Sequence, residues 1–499
     1  MVVHAEKSST GVNRAVYLPP YADPYFPAWR SPLAALGRRT ARAVRQATLA
    51  QLQEHLRDFR PAPLLSAADE GPNSREPIFS LRLTCECFLG QLLQLHTACR
   101  EVVRQVQALF RSQGRDLIDE GDSAYVQARQ RLEQALIATA QAADRRAGSG
   151  GQLGGRPVIA VDGSTVQLAD TPKSQKRSPQ PSTQKPGCGF PVLKLAVLFS
   201  LTSGAILRVL MGSLRHPDLR LLRGLWDQLK KGDILLGDRA YGEYTTLAGL
   251  PRQGVDVVAR LHQRRKVDFR KARRLGHHDA LFVWTKGCQQ SEILSAQQWA
   301  LRPAQITVRI IRFTATIRGL RARRVTLVTT LLDPQRYPAQ DLIALYARRW
   351  RLELGLRDLK TTMGMQPLRC KTPDMAEKEL LAYLVAHNLI RCVMAEAVAR
   401  YAVDLERVSF KGSVDALRQY SAEMAKARSR TMRRQLWEDL LLNLARDLVR
   451  YRPNRTEPRA VKRRPKPYPL LNQPRRLFKE TPHRNRYWKG HPRNYRSLN

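Results

Sequence analysis

"DILLGDRAYG", residues 233–242, decides how this chain reads. Three apolar residues and a glycine run straight into an aspartate, Asp238, and an arginine, Arg239. A short apolar run bounded by turn residues is a strand buried on both faces, which places it inside a layered α/β core. A carboxylate terminating such a strand is not needed for solubility, so Asp238 is a candidate for chemistry.

Upstream, "VIAVDGS" (158–164) repeats the pattern and ends in Asp162, directly after the flexible "GSGGQLGGRP" (148–157). Between the two aspartates, "LKLAVLFSLTS" and "AILRVLMGSL" flank Gly204 as in a hairpin, and "DLRLLRGLWDQLKKG" has helical spacing. The order is strand, strand, strand, helix, strand, and 148–254 is the first half of a core. Residues 255–335 hold β-branched segments ("VDVVARL", "ALFVW", "ITVRIIRF", "RVTLVTTLL") divided by basic loops such as "HQRRKVDFRKARR", which predicts a mostly β insertion. Helical periodicity returns for the second half, 336–400, and for C-terminal helices over 401–449.

Residues 1–30 read as an irregular arm with Pro19, Pro20, Pro24 and Pro27, and 31–147 as a helical domain. Within it "DSAYVQARQRL" (122–132) lays Arg129 and Arg131 on a helix. This suits DNA docking and suits an ordinary bundle with solvated arginines equally. The tail, 450–499, carries sixteen Lys/Arg against two Glu and is a basic, disordered arm.

Across 499 residues, 85 Lys and Arg face 43 Asp and Glu, a formal charge of +42. Such an excess repels itself unless an anionic partner neutralises it, and nucleic acid fits better than a membrane surface. The first residues lack the charged start, apolar stretch and cleavage site of a secretory signal, so a cytoplasmic protein is expected. Seven scattered cysteines without a CxxC pair read as reduced thiols rather than a zinc site.

The remaining piece is "YARRWRLELGLRDLK" (346–360). On one regular helix Tyr346, Arg349, Glu353 and Lys360 fall within an arc of roughly 60°. Leu345, Leu352, Leu356, Leu359 and Met363 occupy the adjoining, core-facing sector. Alone, the stripe is a surface with an i,i+4 ion pair between Arg349 and Glu353. Joined with two strand-end aspartates, Glu353 completes a set of hard oxygen ligands that Mg²⁺ accepts, enough for two-metal phosphoryl transfer. Tyr346, Arg349, Lys360 and Arg239 are then the groups that bind the DNA backbone.

These residues resemble a known family. Tyr346, Arg349, Glu353 and Lys360 match the Y-(2)-R-(3)-E-(6)-K signature of the bacterial insertion-sequence transposases of family four, and "VDGSTVQLADT" and "GDRAYG" look like its first two motifs. The likeness covers about 120–400. It implies a ribonuclease-H-like catalytic core interrupted by the β insertion, with a DDE triad of Asp162, Asp238 and Glu353 binding two Mg²⁺ or Mn²⁺ ions. It also implies double-stranded DNA, both terminal repeats and target, as substrate, a homodimer in the synaptic complex, and a nucleoid-associated protein. Cut-and-paste movement through a DNA hairpin would follow, with an aromatic of the insertion holding a flipped base. Trp284 is the first candidate and Trp299 the second, each more readily read as a core tryptophan of the β segment.

Two other readings share the same residues: a metal-dependent nuclease that cuts without joining, and a transposase-derived DNA-binding regulator without activity. "HHD" at 277–279 reads as a polar loop, His387 and Asn388 read as core residues of an apolar helix, and the glycines of "GQLGGRP" form no nucleotide loop.

Overall fold

A computed structural model describes residues 98–450 apart from short internal stretches, together with Ile78, Phe79, Leu83, Thr84, Cys87 and Gln91. The irregular arm at 1–30, the first part of the expected helical domain at 31–77, Arg131 and the basic tail beyond residue 450 lie outside the described residues.

Ten strands form one mixed sheet: β1 (Gln152–Leu153), β2 (Arg156–Gln167), β3 (Val192–Ser200), β4 (Ile206–Ser213), β5 (Ile234–Gly237), β6 (Asp256–Arg260), β7 (Arg273–Gly276), β8 (Asp279–Thr285), β9 (Gln305–Ala315) and β10 (Arg323–Thr329). Their spatial order is β4-β3-β2-β5-β6-β10-β9-β8-β7, with β1 paired to β2. The first three long strands make an antiparallel meander, and β2, β5 and β6 run parallel. This mixed α/β core is consistent with a ribonuclease-H-like topology.

Residues 255–335 contribute to the same sheet. The "VDVVARL" strand, β6, is the parallel neighbour of β5, and β10 joins it antiparallel, so β7–β10 prolong the sheet edge to edge.

Alternation along the strands sorts side chains onto two faces. Val158 and Ala160 of β2 join Ile234, Leu236 and Val258 in one core, while Ile159, Val161, Leu235, Val257 and Ala259 join the other. Every residue of β5 is buried because helices cover both faces. The first face is covered by α1 (Cys99–Ser112), α2 (Ser123–Ala128), α3 (Ala135–Ala147), α4 (Ala339–Ala347), α5 (Trp350–Arg357), α6 (Pro373–Tyr401), α7 (Phe410–Lys426) and α8 (Arg430–Arg446). Short helices between 218 and 253, built around Trp226, Tyr244 and Leu247, cover the second.

The spine of the first layer is α6. It is long and apolar enough to cross a membrane, but its most apolar window is 78% buried inside the protein. Asn388 fixes it to the sheet by accepting from the Ile206 N–H at 2.7 Å and donating to the Ile206 carbonyl at 2.9 Å. His387 is buried and stacks on Phe410, so both residues are core residues of this helix. Arg129 is also buried, with its guanidinium over the Tyr125 ring, and is not a solvated DNA-facing arginine.

One local expectation fails. The stretch 346–360 is not one regular helix: α4 ends at Ala347, α5 starts at Trp350, and Asp358–Thr362 forms a π-turn that contains Lys360. Such turns reset helical phase, so the 60° arc does not carry through to Lys360. "HHD" is also more than a polar loop, since Asp279 opens β8 as a buried residue.

Candidate active site

Parallel pairing sets the site. Ile159 lies opposite Leu235 and Ala160 opposite Leu236, so two residues further on Asp162 and Asp238 stand level where the β2–β5 ladder stops. Asp238 directly follows β5, but Asp162 lies inside β2, paired with Val197 of β3, so the expectation that it ends its strand fails. The meander leads away on one side of β2 and the β5–β6 pair on the other, so this is the point where strand order reverses. Open α/β sheets present their crevice at such a point, outside the carboxyl ends of parallel strands. The turn is tight: a Cβ at Gly237 would meet the Tyr241 side chain at 2.6 Å, and the Asp238 carboxylate accepts the Ala240 N–H at 2.8 Å.

Asp162 shares strand parity with Ala160 and so belongs to the face covered by α5. Leu352, Leu356 and Leu359 anchor that helix segment in the core, which leaves Glu353 and Arg349 at its margin above the aspartates. Arg349 donates to Glu353 at 2.7 Å and lies 3.9 Å from Asp162. The i,i+4 pair is therefore present, but its guanidinium is shared with the Asp162 carboxylate of β2.

Burial pushes the Asp162 carboxyl above the ordinary value of 3.8. The Gly163 N–H and Arg349 oppose the rise, while the charges of Asp238 and Glu353 add to it. The three acids thus feel one another. Burial would lower the Arg349 pKa, but its bond to Glu353 and the charges of Tyr346 and Asp162 carry it upward instead. Burial also raises Tyr346, against the pull of Arg349 and Arg260. Lys360 is lowered by burial, partly offset by Asp162, which puts its ammonium in the same field despite the π-turn.

Arg239 points aside, donating to Gln263 at 2.8 Å. Trp284 is buried in the second core with the Arg265 guanidinium 3.9 Å from its ring centroid. Its strand is the fourth from β5, about 19 Å across the sheet at ordinary strand spacing. Trp299, half-buried, meets Tyr244 edge to face.

Two residues near the site escaped the sequence pattern. Arg260, at the end of β6, acts on Tyr346, and Trp350 is 59% exposed between Arg349 and Glu353. The exposed tryptophan is the legible signal of the two, an aromatic one residue from the signature arginine.

Among the described residues no three acids, imidazoles or thiols are gathered closely enough to hold a metal as they stand. The donor set nevertheless suits a hard divalent ion: three carboxylates, one of them desolvated, with a cation drawn between two of them. Among the described residues Cys99, Cys288 and Cys370 are free thiols.

Comparison with known proteins finds relatives over the same part of the chain. Residues 153–389 match the family model of the transposase DDE domain, a span that includes all three acids. The chain is similar to the transposase InsG of insertion sequence element IS4 from Escherichia coli (strain K12), with 26% identity over 321 residues, 63% of this chain and 70% of that one. A solved piggyBac transposase synaptic complex with hairpin DNA overlaps 81% of this chain and 85% of its own at 8% identity, with a TM-score of 0.38 that bears no weight. The chain carries a DDE-type transposase domain related to those of IS4-family transposases, and this is an enzyme domain of the nuclease and transferase kind.

Proposed function

We propose that this chain, with its DDE transposase domain, moves an insertion sequence by cut-and-paste transposition. The observation that supports it is the level placement of Asp162 and Asp238 at the strand-order reversal, with Glu353 and its cations directly above.

Asp162, Asp238 and Glu353 would hold two Mg²⁺ or Mn²⁺ ions, which when bound polarise an attacking oxygen and neutralise charge on the leaving one. The chain's other groups do the positioning. Arg349 offers a two-pronged donor to a phosphate, Lys360 a point charge, and Tyr346 a hydroxyl. Arg239 keeps its guanidinium within one residue of Asp238, where the DNA backbone would pass, and Trp350 gives a stacking surface at the rim. Water attack frees a 3′-hydroxyl at each element end, and that hydroxyl attacks the other strand, closing a hairpin and releasing the flanking DNA. A second water reopens the hairpin to restore the 3′-hydroxyl, and this then attacks a target phosphodiester and displaces the target's own 3′-oxygen.

Two ends must be joined, so the working form is a homodimer on double-stranded DNA. The formal charge of +42 serves the same partner. Trp284 would have to leave its core position to hold a flipped base, so Trp299 or Trp350 serves that role with less disruption.

The test is incubation of the chain with DNA carrying the flanking element's ends and Mg²⁺, comparing wild type with Glu353→Gln. Cleavage at the ends followed by joined products, both lost in the variant, supports transposition. Cleavage without joining points to a nuclease, and binding without any change in the DNA points to a regulator.

A further inference from the structure

Behind the Glu353 helix lies a cavity of about 330 Å³, a size that holds a small molecule. Its walls come from α5, the π-turn, α6 and the start of α7, and Asp162, Asp238, Glu353 and Lys360 do not line it. The active-site reading leaves it without a role.

Its charge is lopsided. Arg351, Arg357, Arg391 and Lys411 line it against two carboxylates, Asp358 and Glu406, and Lys411 at the mouth is itself paired with Asp415 at 2.5 Å. Glu406 is already taken by Arg351 and, at 3.0 Å, by Arg348, while Asp358 lies 4.0 Å from Arg357. Arg391 reaches in from α6, donating through Nε to the Ser203 carbonyl at 2.6 Å. Among the described residues no hydrogen bond uses its two terminal amino groups. The fold makes room for this fork: Gly204 has φ +72°, and a Cβ there would meet Arg391 Nη2 at 2.3 Å. Burial pulls the Arg351 and Arg391 pKa values down to about 9 and about 10; the charges of Arg348 and Arg391 add to the fall at Arg351, while the Asp358 charge opposes it at Arg391. Both remain charged at neutral pH, and nearby His387 is neutral.

A cationic fork with vacant donors, inside a space larger than a water cluster needs, calls for a multivalent oxyanion. We propose that this cavity binds a phosphate-class anion between Arg391 and Arg351. The chain's own tail is unsuited as occupant, with sixteen Lys/Arg against two Glu. The phosphate can belong to a free compound or to a nucleic-acid strand. Either would tie α5 to α6 and so fix the height of Glu353 above the aspartates. The binding stands independently of the transposase reading; only this last consequence rests on it.

The experiment is calorimetric titration of the full chain with pyrophosphate, metal-free, at ionic strength held constant with chloride. One saturable site is expected, weakened at least tenfold in Arg391→Gln and severalfold in Lys411→Gln, and unchanged in Lys360→Gln. The Lys360 variant separates this cavity from the active site. Should Arg391→Gln not fold, Arg351→Gln and the exposed Lys411→Gln decide. Displacement of bound pyrophosphate by a short single-stranded oligonucleotide assigns the phosphate to DNA, and no displacement assigns it to a free compound. The proposal falls if chloride alone reproduces the heat, if folded cavity variants bind as wild type does, or if Lys360→Gln abolishes binding.

Discussion

Two arginine–carboxylate sets sit on the same sheet with opposite designs. On β8 and β9, Arg309 grips both oxygens of Asp279 at 2.8 and 2.6 Å, donates to the Tyr337 carbonyl at 2.6 Å, and has a side chain with 0% exposure. Above β2, Arg349 is divided between Glu353 at 2.7 Å and Asp162 at 3.9 Å, and the three side chains keep 17 to 37% of their surface. The first set is saturated and closed, a strut between the prolonged sheet and the loop before α4. The second has more carboxylates than cations to satisfy them, and it stays open to solvent. A group whose partners are incomplete is held ready for a ligand, whereas a complete pair is only structure.

Substitutions should separate the two. Asp162→Asn, Asp238→Asn or Glu353→Gln is expected to lower DNA cleavage by at least about 10³-fold, roughly 4 kcal/mol of barrier, while thermal melting stays within a few degrees. Arg309→Met is expected to do the reverse, costing about 3–5 kcal/mol in denaturant unfolding, because Asp279 is left buried and unpaired. A destabilised Asp162→Asn or a neutral Arg309→Met would erase the distinction.

Acid sensitivity belongs to the closed interior. Burial, then the charge of Arg391, push the His387 pKa down to about 3, below its ordinary 6.5. A neutral buried imidazole contributes stability that is complete above pH 6.5 and is lost as pH falls towards 3. Wild type should therefore lose up to about 1.4 kcal/mol per pH unit in that window relative to His387→Phe, measured by urea unfolding at pH 7, 6, 5 and 4. Parallel curves would remove His387 from the account. The smallest effect is a coupling energy. A double-mutant cycle on Arg349 and Glu353 should give about 0.5 kcal/mol in stability, as befits a partly exposed i,i+4 pair, and several times that on Arg309 and Asp279.

The legible parts of the site were the ones written in local pattern. Asp162 and Asp238 stand out because a charge closing a short apolar run is visible along the chain. Glu353 stands out because its cations recur at fixed spacing. Arg260 was not legible as a site residue, being an arginine among 85 Lys and Arg, and Trp350 carried only the signal of an aromatic next to Arg349 in a basic run. Asp279 was misread as loop because its meaning comes from Arg309, thirty residues away. The π-turn at Asp358–Thr362 is likewise silent in the sequence, because the same apolar spacing fits an unbroken helix.

By itself, then, the sequence determined most of the strands and helices of the core, where the carboxylates stand along the chain, and a net charge that an anionic partner would neutralise. Periodicity, turn residues and net charge are properties of neighbours in the chain, and they need no fold to be read. Only the tertiary structure decided that β2 and β5 pair in a register that brings Asp162 and Asp238 level. It alone also ran β6–β10 on into the same sheet, buried Trp284 on the far face, and opened a cationic cavity behind α5. Those outcomes depend on hydrogen-bond register and packing between segments tens to hundreds of residues apart, and no local pattern specifies them.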